Sequence, residues 1–133
     1  MTAVALRHGR FWTWCGVGFV LLVAFLSLTP APLDAPALYG FKLGHVVAYA
    51  WLMLWFAQIH RSARARLHVA IALCAMGVAL ECLQALTTYR TFAYDDMADN
   101  ALGVAAGWVL GATALGGALA AFETLLAMIS RRR

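Results

Sequence analysis

Eight polar residues in this chain stand where side chains able to bind or transfer a proton would have to converge. Lys42, His45 and Tyr49 step by three and four, which places all three on one face of a helix. Glu81 and Gln84 share a face three residues apart, Arg90 follows, and Asp96 and Asn100 repeat at a spacing of four. Lys42 and Arg90 could hold an anion, Arg90 with a bidentate fork. His45 or Glu81 could serve as a general base, and His45, Glu81 and Asp96 have the donor atoms for metal-assisted chemistry.

These groups are unusual because the rest of the chain is so apolar. Its 133 residues are 64% hydrophobic and 12% charged, against roughly 45–50% apolar and about 25% charged in soluble domains. Mean hydropathy is +0.79. That much apolar surface exceeds what one small aqueous core could hide, so the solvent is lipid. The reading is an all-α fold, a compact four-helix transmembrane bundle forming a single domain over residues 1–133, with helices at about 11–29, 41–59, 67–86 and 98–122. The apolar run of the last segment continues to Ile129, so this helix must tilt, break near Gly116 and Gly117, or finish at the interface.

Orientation follows from the basic residues. Arg7 and Arg10 precede the first segment, Arg61, Arg64 and Arg66 follow the second, and Arg131 to Arg133 close the chain. By the positive-inside rule these places and both termini are cytoplasmic, which leaves only Lys42 and Arg90 of the ten basic residues at the other face. The expected location is the bacterial cytoplasmic (inner) membrane, crossed several times. Arg7 and Arg10 before an apolar stretch could also open a signal peptide, but the stretch is too long and prolines crowd the cleavage position. The net charge of +4 carries no run of basic and aromatic residues suited to nucleic acid, so membrane lipids are the expected partners. Cys15, Cys74 and Cys82 show no metal-ligand spacing and are read as small core hydrophobes.

A carboxylate such as Glu81 inside a membrane helix costs roughly 2.5–3.5 kcal/mol at the centre and less toward an interface, so it should face a partner or a wet cavity. On this topology the eight residues meet at one face and one depth. Gly103, Gly107 and Gly111 continue the Asp96 and Asn100 column as a doubled G-x-x-x-G, which lets another helix approach closely. Packing within the chain is the first reading of that column, and a homo-oligomer through Gly103, Gly107 and Gly111 the second. Asp95 and Asp99 are read as solvated, Trp12 and Trp14 as an interfacial belt, and Trp51, Trp55 and Trp108 as packing or lipid-facing residues. Glu123 is expected at the inner boundary, paired with the closing arginines.

The runs FKLGHVVAYAWL and GVALECLQALTTYRTFAYDDMADNALGVAAGWVLG, with four apolar segments, resemble the VanZ-like family of small bacterial membrane proteins. That family's pattern has Lys-x-x-His-x-x-x-Tyr at the start of the second helix, Glu-x-x-Gln at the end of the third, then Arg, Asp-x-x-x-Asn and a glycine-rich helix. The resemblance implies that Lys42, His45, Tyr49, Glu81, Gln84, Arg90, Asp96 and Asn100 form a shared ligand-binding site. The family is named for a teicoplanin-resistance determinant, which raises a link to glycopeptide resistance and to an envelope lipid or glycopeptide-related ligand. Phe41 stands where many members have Asp before the Lys, and Asp99 where a small apolar residue is common.

The leading functional expectation is a pocket facing outward that binds an anionic envelope lipid or glycolipid headgroup, without a resident metal or cofactor. One alternative is an enzyme on a lipid-linked substrate, with His45, Glu81 and Asp96 as its catalytic set. The other is a structural or transport subunit whose polar cluster only ties helices together.

Overall fold

The structure is a computed structural model describing residues 6–30, 43–87 and 94–131. These form five α-helices and no strand: α1 Gly9–Leu28, α2 Leu43–Ile59, α3 Ala63–Ala85, α4 Tyr94–Gly111 and α5 Ala118–Ser130, with a 3-10 turn at Ala114–Gly117 before α5.

Two helices, α1 and α3, are long and apolar enough to cross a membrane, with mean hydropathies of 2.0 and 1.8. A third span exists if α4 and the Ala114–Ser130 segment are counted together, although they meet at a bend of 72°. The remaining helix, α2, has 17 residues, about 26 Å of rise. Apolar on every side, it lies at the centre, touching α1, α3 and α4. Its Tyr49, Leu52, Met53 and Ala57 are fully buried and form the core with Leu73 of α3 and Val104 of α4.

Large apolar side chains cover the outside. Trp14, Leu21 and Phe25 of α1, Leu67 and Ile71 of α3, and Leu102 and Val109 of α4 are exposed, while Gln58, Glu81, Gln84 and Asn100 are buried. This reverses the distribution of a soluble protein and suits hydrocarbon as the surrounding medium. Cys82 is exposed and Cys15 and Cys74 only partly covered, so the cysteines do not all belong to the core.

Side chains close several helix ends, some from neighbouring residues and some from distant segments. The Ser62 hydroxyl accepts from the Ala65 amide at 3.2 Å and starts α3 four residues before the apolar run does. Arg66 then donates to the carbonyls of His60 and Ala57, each at 2.9 Å, covering the last turn of α2. Because apolarity marks only the lipid-facing part of a helix, the sequence boundary at 67 was too late. The same holds for α4, which begins at Tyr94 rather than 98: Asp95 and Asp96 lie in its first turn, where acidic groups complement the helix dipole.

The expected helix over 98–122 is broken. After Gly111 the Thr113 hydroxyl donates to the Leu110 carbonyl at 2.6 Å and accepts from the Leu115 amide at 3.3 Å, giving the chain a local alternative to helix. Gly116 folds back onto Gly111 so closely that a Cβ there would meet the Gly111 carbonyl oxygen. The new helix, α5, starts where the Leu119 amide donates to Gln58 Oε1 of α2 at 2.9 Å.

At this same end Glu123 of α5 accepts from the backbone amides of Arg7 and His8, at 2.6 and 2.8 Å, and from the Trp12 indole at 2.8 Å. It therefore caps the start of α1. These amides have no partner inside α1; of the closing arginines with which Glu123 was expected to pair, Arg132 and Arg133 lie outside the described residues. Above it, Trp55 donates to the Trp12 carbonyl at 3.0 Å and meets Phe19 edge-on at 4.8 Å, joining α2 to α1.

Candidate functional site

At the other end of the molecule, α2, α3 and α4 bring six of their residues into two layers. The outer layer is His45 of α2, Glu81 of α3 and Asp96 of α4. One turn deeper, each helix contributes the residue four positions away: Tyr49, Gly77 and Asn100.

The glycine column sets how closely these helices stand. A Cβ on Gly103 would fall 2.5 Å from the Val46 carbonyl oxygen, one on Gly107 would meet the Ala50 carbonyl oxygen, and one on Gly111 would come within 2.7 Å of Ala57 Cβ. The face is therefore used within the chain, by α2. Gly77 makes room in the same way at the site itself, where a Cβ would lie 3.0 Å from Asn100 Nδ2 and 3.3 Å from the Tyr49 hydroxyl.

In the outer layer, His45 Nδ1 is 3.9 Å from Asp96 Oδ1, and both side chains are about one quarter exposed (26% and 25%). Glu81 is 2% exposed. One ligand atom from each of His45, Glu81 and Asp96 can be chosen so that all lie within 4.8 Å of one another. Beneath them, Tyr49 and Asn100 are 1% and 3% exposed, and neither the Tyr49 hydroxyl nor Asn100 Oδ1 makes a hydrogen bond among the described residues. Buried polar atoms normally have partners, and these two have none among the described residues.

The expected residues are therefore divided. His45, Tyr49, Glu81, Asp96 and Asn100 converge. Gln84, also buried, points its amide toward α1 and donates to the Ser27 carbonyl at 2.7 Å, so its visible interaction is a tie between helices. Lys42 and Arg90 lie outside the described residues.

One acidic residue was misjudged. Asp99 is only part-exposed, and its Oδ2 is buried without a hydrogen-bond partner among the described residues, which is not the environment of a solvated loop aspartate. Its spacing of four from Gly103 was the signal, since it places Asp99 beside the face on which α4 meets α2.

A groove of about 720 Å³ lies far from this cluster, between the start of α1 and α5, lined by Phe11, Trp12, Phe122 and Leu126 among others. Its walls are mostly apolar, and the ionisable groups it does carry, Arg7, His8 and Glu123, lie where Glu123 caps the start of α1.

A family model described as VanZ/LLP1 matches residues 3–115, which contain every residue of the site and stop before α5. No significant match was found among curated proteins or solved structures.

Proposed function

Starting from a chain that belongs to the VanZ/LLP1 family, we propose that it is a multi-pass protein of the bacterial cytoplasmic membrane whose polar site binds an anionic envelope lipid or glycolipid headgroup. In this reading α1 to α4 form a four-span bundle with both termini cytoplasmic, and α5 turns aside along the inner boundary. The distribution of basic residues supports it: Arg7, Arg61, Arg64, Arg66 and Arg131 all lie toward the end where Glu123 meets α1. The polar site is at the opposite end and faces the outer leaflet.

The observation that carries the reading is the convergence of His45, Glu81 and Asp96 above two buried polar atoms that have no hydrogen-bond partner among the described residues. A structure built only to join helices would satisfy those atoms internally, whereas a binding site leaves them to its ligand. Lys42 and Arg90 supply the positive charge that a phosphate or other acidic group requires. Both precede a site helix closely in sequence.

The test is reconstitution in nanodiscs containing phosphatidylglycerol or a polyprenyl phosphate, with bound lipid measured after delipidation and exchange. Arg90→Gln should reduce retention to background while membrane insertion and helicity stay intact; undiminished retention overturns the reading. Teicoplanin susceptibility of cells with and without the protein tests the link to glycopeptide resistance.

A second reading, an enzyme acting on a lipid-linked substrate, is favoured by the closeness of a histidine and two carboxylates, which suits proton transfer. Turnover of a lipid phosphate that Glu81→Gln abolishes would replace binding with catalysis.

A further inference from the structure

The three outer-layer residues have a geometry that headgroup binding alone does not explain. Their donors are one imidazole nitrogen and two carboxylate oxygens, they come from three different helices, and they surround a common point within 4.8 Å of one another. His45 Nδ1 stands 3.9 Å from Asp96 Oδ1, too far for a hydrogen bond. Around a tetrahedral cation with bonds of about 2.1 Å, ligand atoms stand about 3.4 Å apart. Small rotations of three side chains would bring these donors to that spacing.

We propose that His45, Glu81 and Asp96 bind a divalent transition-metal cation, Zn²⁺ or Mn²⁺. The mixed nitrogen and oxygen donor set suits these ions better than Mg²⁺ or Ca²⁺, which favour oxygen alone, or Cu⁺, which favours sulfur. The layer beneath points the same way, because the Tyr49 hydroxyl and Asn100 Oδ1 are buried one turn below the ligands without hydrogen-bond partners among the described residues, polar atoms that a bound group or its water would satisfy.

Three protein ligands leave at least one coordination position open, as in zinc sites that engage a substrate or water. The partial exposure of His45 and Asp96 directs that position outward. An anionic oxygen would bind there. The metal site stands on its own geometry; only the identity of the outward ligand rests on the headgroup reading.

Protein stripped with chelator and placed in nanodiscs of neutral phosphatidylcholine, which contain no anionic headgroup, is titrated with ZnCl₂ and with MnCl₂. One saturable site per chain is expected for at least one of them. Asp96→Asn and His45→Gln should each weaken it by about 100-fold or more, while Glu123→Gln at the far end leaves it unchanged. Glu81→Gln should act similarly, and if it fails to accumulate, the two part-exposed positions carry the test. Co²⁺ as a spectroscopic probe should give visible absorption that His45→Gln shifts or removes. Wild-type protein of intact helicity with no saturable site for either ion overturns the proposal, as does wild-type affinity in both Asp96→Asn and His45→Gln. Anionic-lipid retention is measured separately, so a metal-free protein that still retains lipid refutes this inference and spares the headgroup reading.

Discussion

Gly107 of α4 lies directly on the backbone of α2 at Ala50, so near that a methyl group on the glycine would collide with the Ala50 carbonyl oxygen and come within 2.7 Å of Met53 Cβ. This contact lies two turns below Asn100 and beneath the polar site. The obstruction is helix backbone, which cannot rotate aside as a side chain can. The separation of α2 and α4, and with it the distance between His45 and Asp96, therefore depends on a residue that carries no polar group.

Gly107→Ala should destabilise the protein by about 1–3 kcal/mol, the usual range for overpacking, despite alanine's better helix propensity. Gly18→Ala is the matched control, because nothing lies within 4 Å of a Cβ at that position in α1. It should be neutral or slightly stabilising. Thermal unfolding of both variants in the same detergent checks this, and equal behaviour would remove the close approach as an explanation.

Tyr49→Phe separates stability from function. The Tyr49 hydroxyl is buried with no hydrogen bond among the described residues, so removing it should leave stability unchanged or raise it by up to about 1 kcal/mol. Retention of anionic lipid should fall. A loss of more than about 1 kcal/mol would mean that the hydroxyl has a structural partner.

Much of the site was legible because helix periodicity is local. Steps of three and four place His45 with Tyr49, Glu81 with Gln84, and Asp96 with Asn100, and the glycine repeat shows where α4 needs a close neighbour. Contacts between distant segments are not written in that way. Glu123 reaches Arg7 across 116 positions and bonds to a backbone amide, so no pairing of side-chain types could reveal it. The break after Gly111 was partly legible from Gly116 and Gly117, but it begins earlier, where the Thr113 hydroxyl competes for the backbone. Gln84 was placed on the correct face, while its partner, the Ser27 carbonyl, left no trace in composition.

Gln84→Leu tests the structural share of the cluster. The Ser27 carbonyl is in the last turn of α1, where helix carbonyls lack intrahelical partners, and the Gln84 amide supplies one. Losing that donor should cost about 1–3 kcal/mol, with headgroup affinity per folded molecule unchanged. Ser27→Ala should cost much less, since the acceptor is backbone. Chemical denaturation in lipid-detergent mixtures measures both. A loss of lipid retention in well-folded Gln84→Leu would instead place Gln84 in the binding site.

Glu123 should make stability depend on pH in acid. Desolvation acts to raise its carboxyl group, but hydrogen bonds from the Trp12 indole, the Arg7 and His8 amides and the His8 ring outweigh it, and the net shift is below the ordinary value of 4.5. A carboxylate whose value is lower in the folded state binds protons more weakly there than in the unfolded chain. Its contribution is fully present above the unfolded value and is lost as pH falls through the lowered folded one. Wild type should exceed Glu123→Gln in stability by about 1 kcal/mol at neutral pH, the usual worth of a helix N-cap. That margin should hold down to about pH 5 and shrink as pH falls below the ordinary value. Measuring both proteins in a His8→Ala background removes the histidine's own titration from the comparison. A margin that stays constant to pH 3, or grows toward acid, would show that the cap does not depend on the ionised carboxylate.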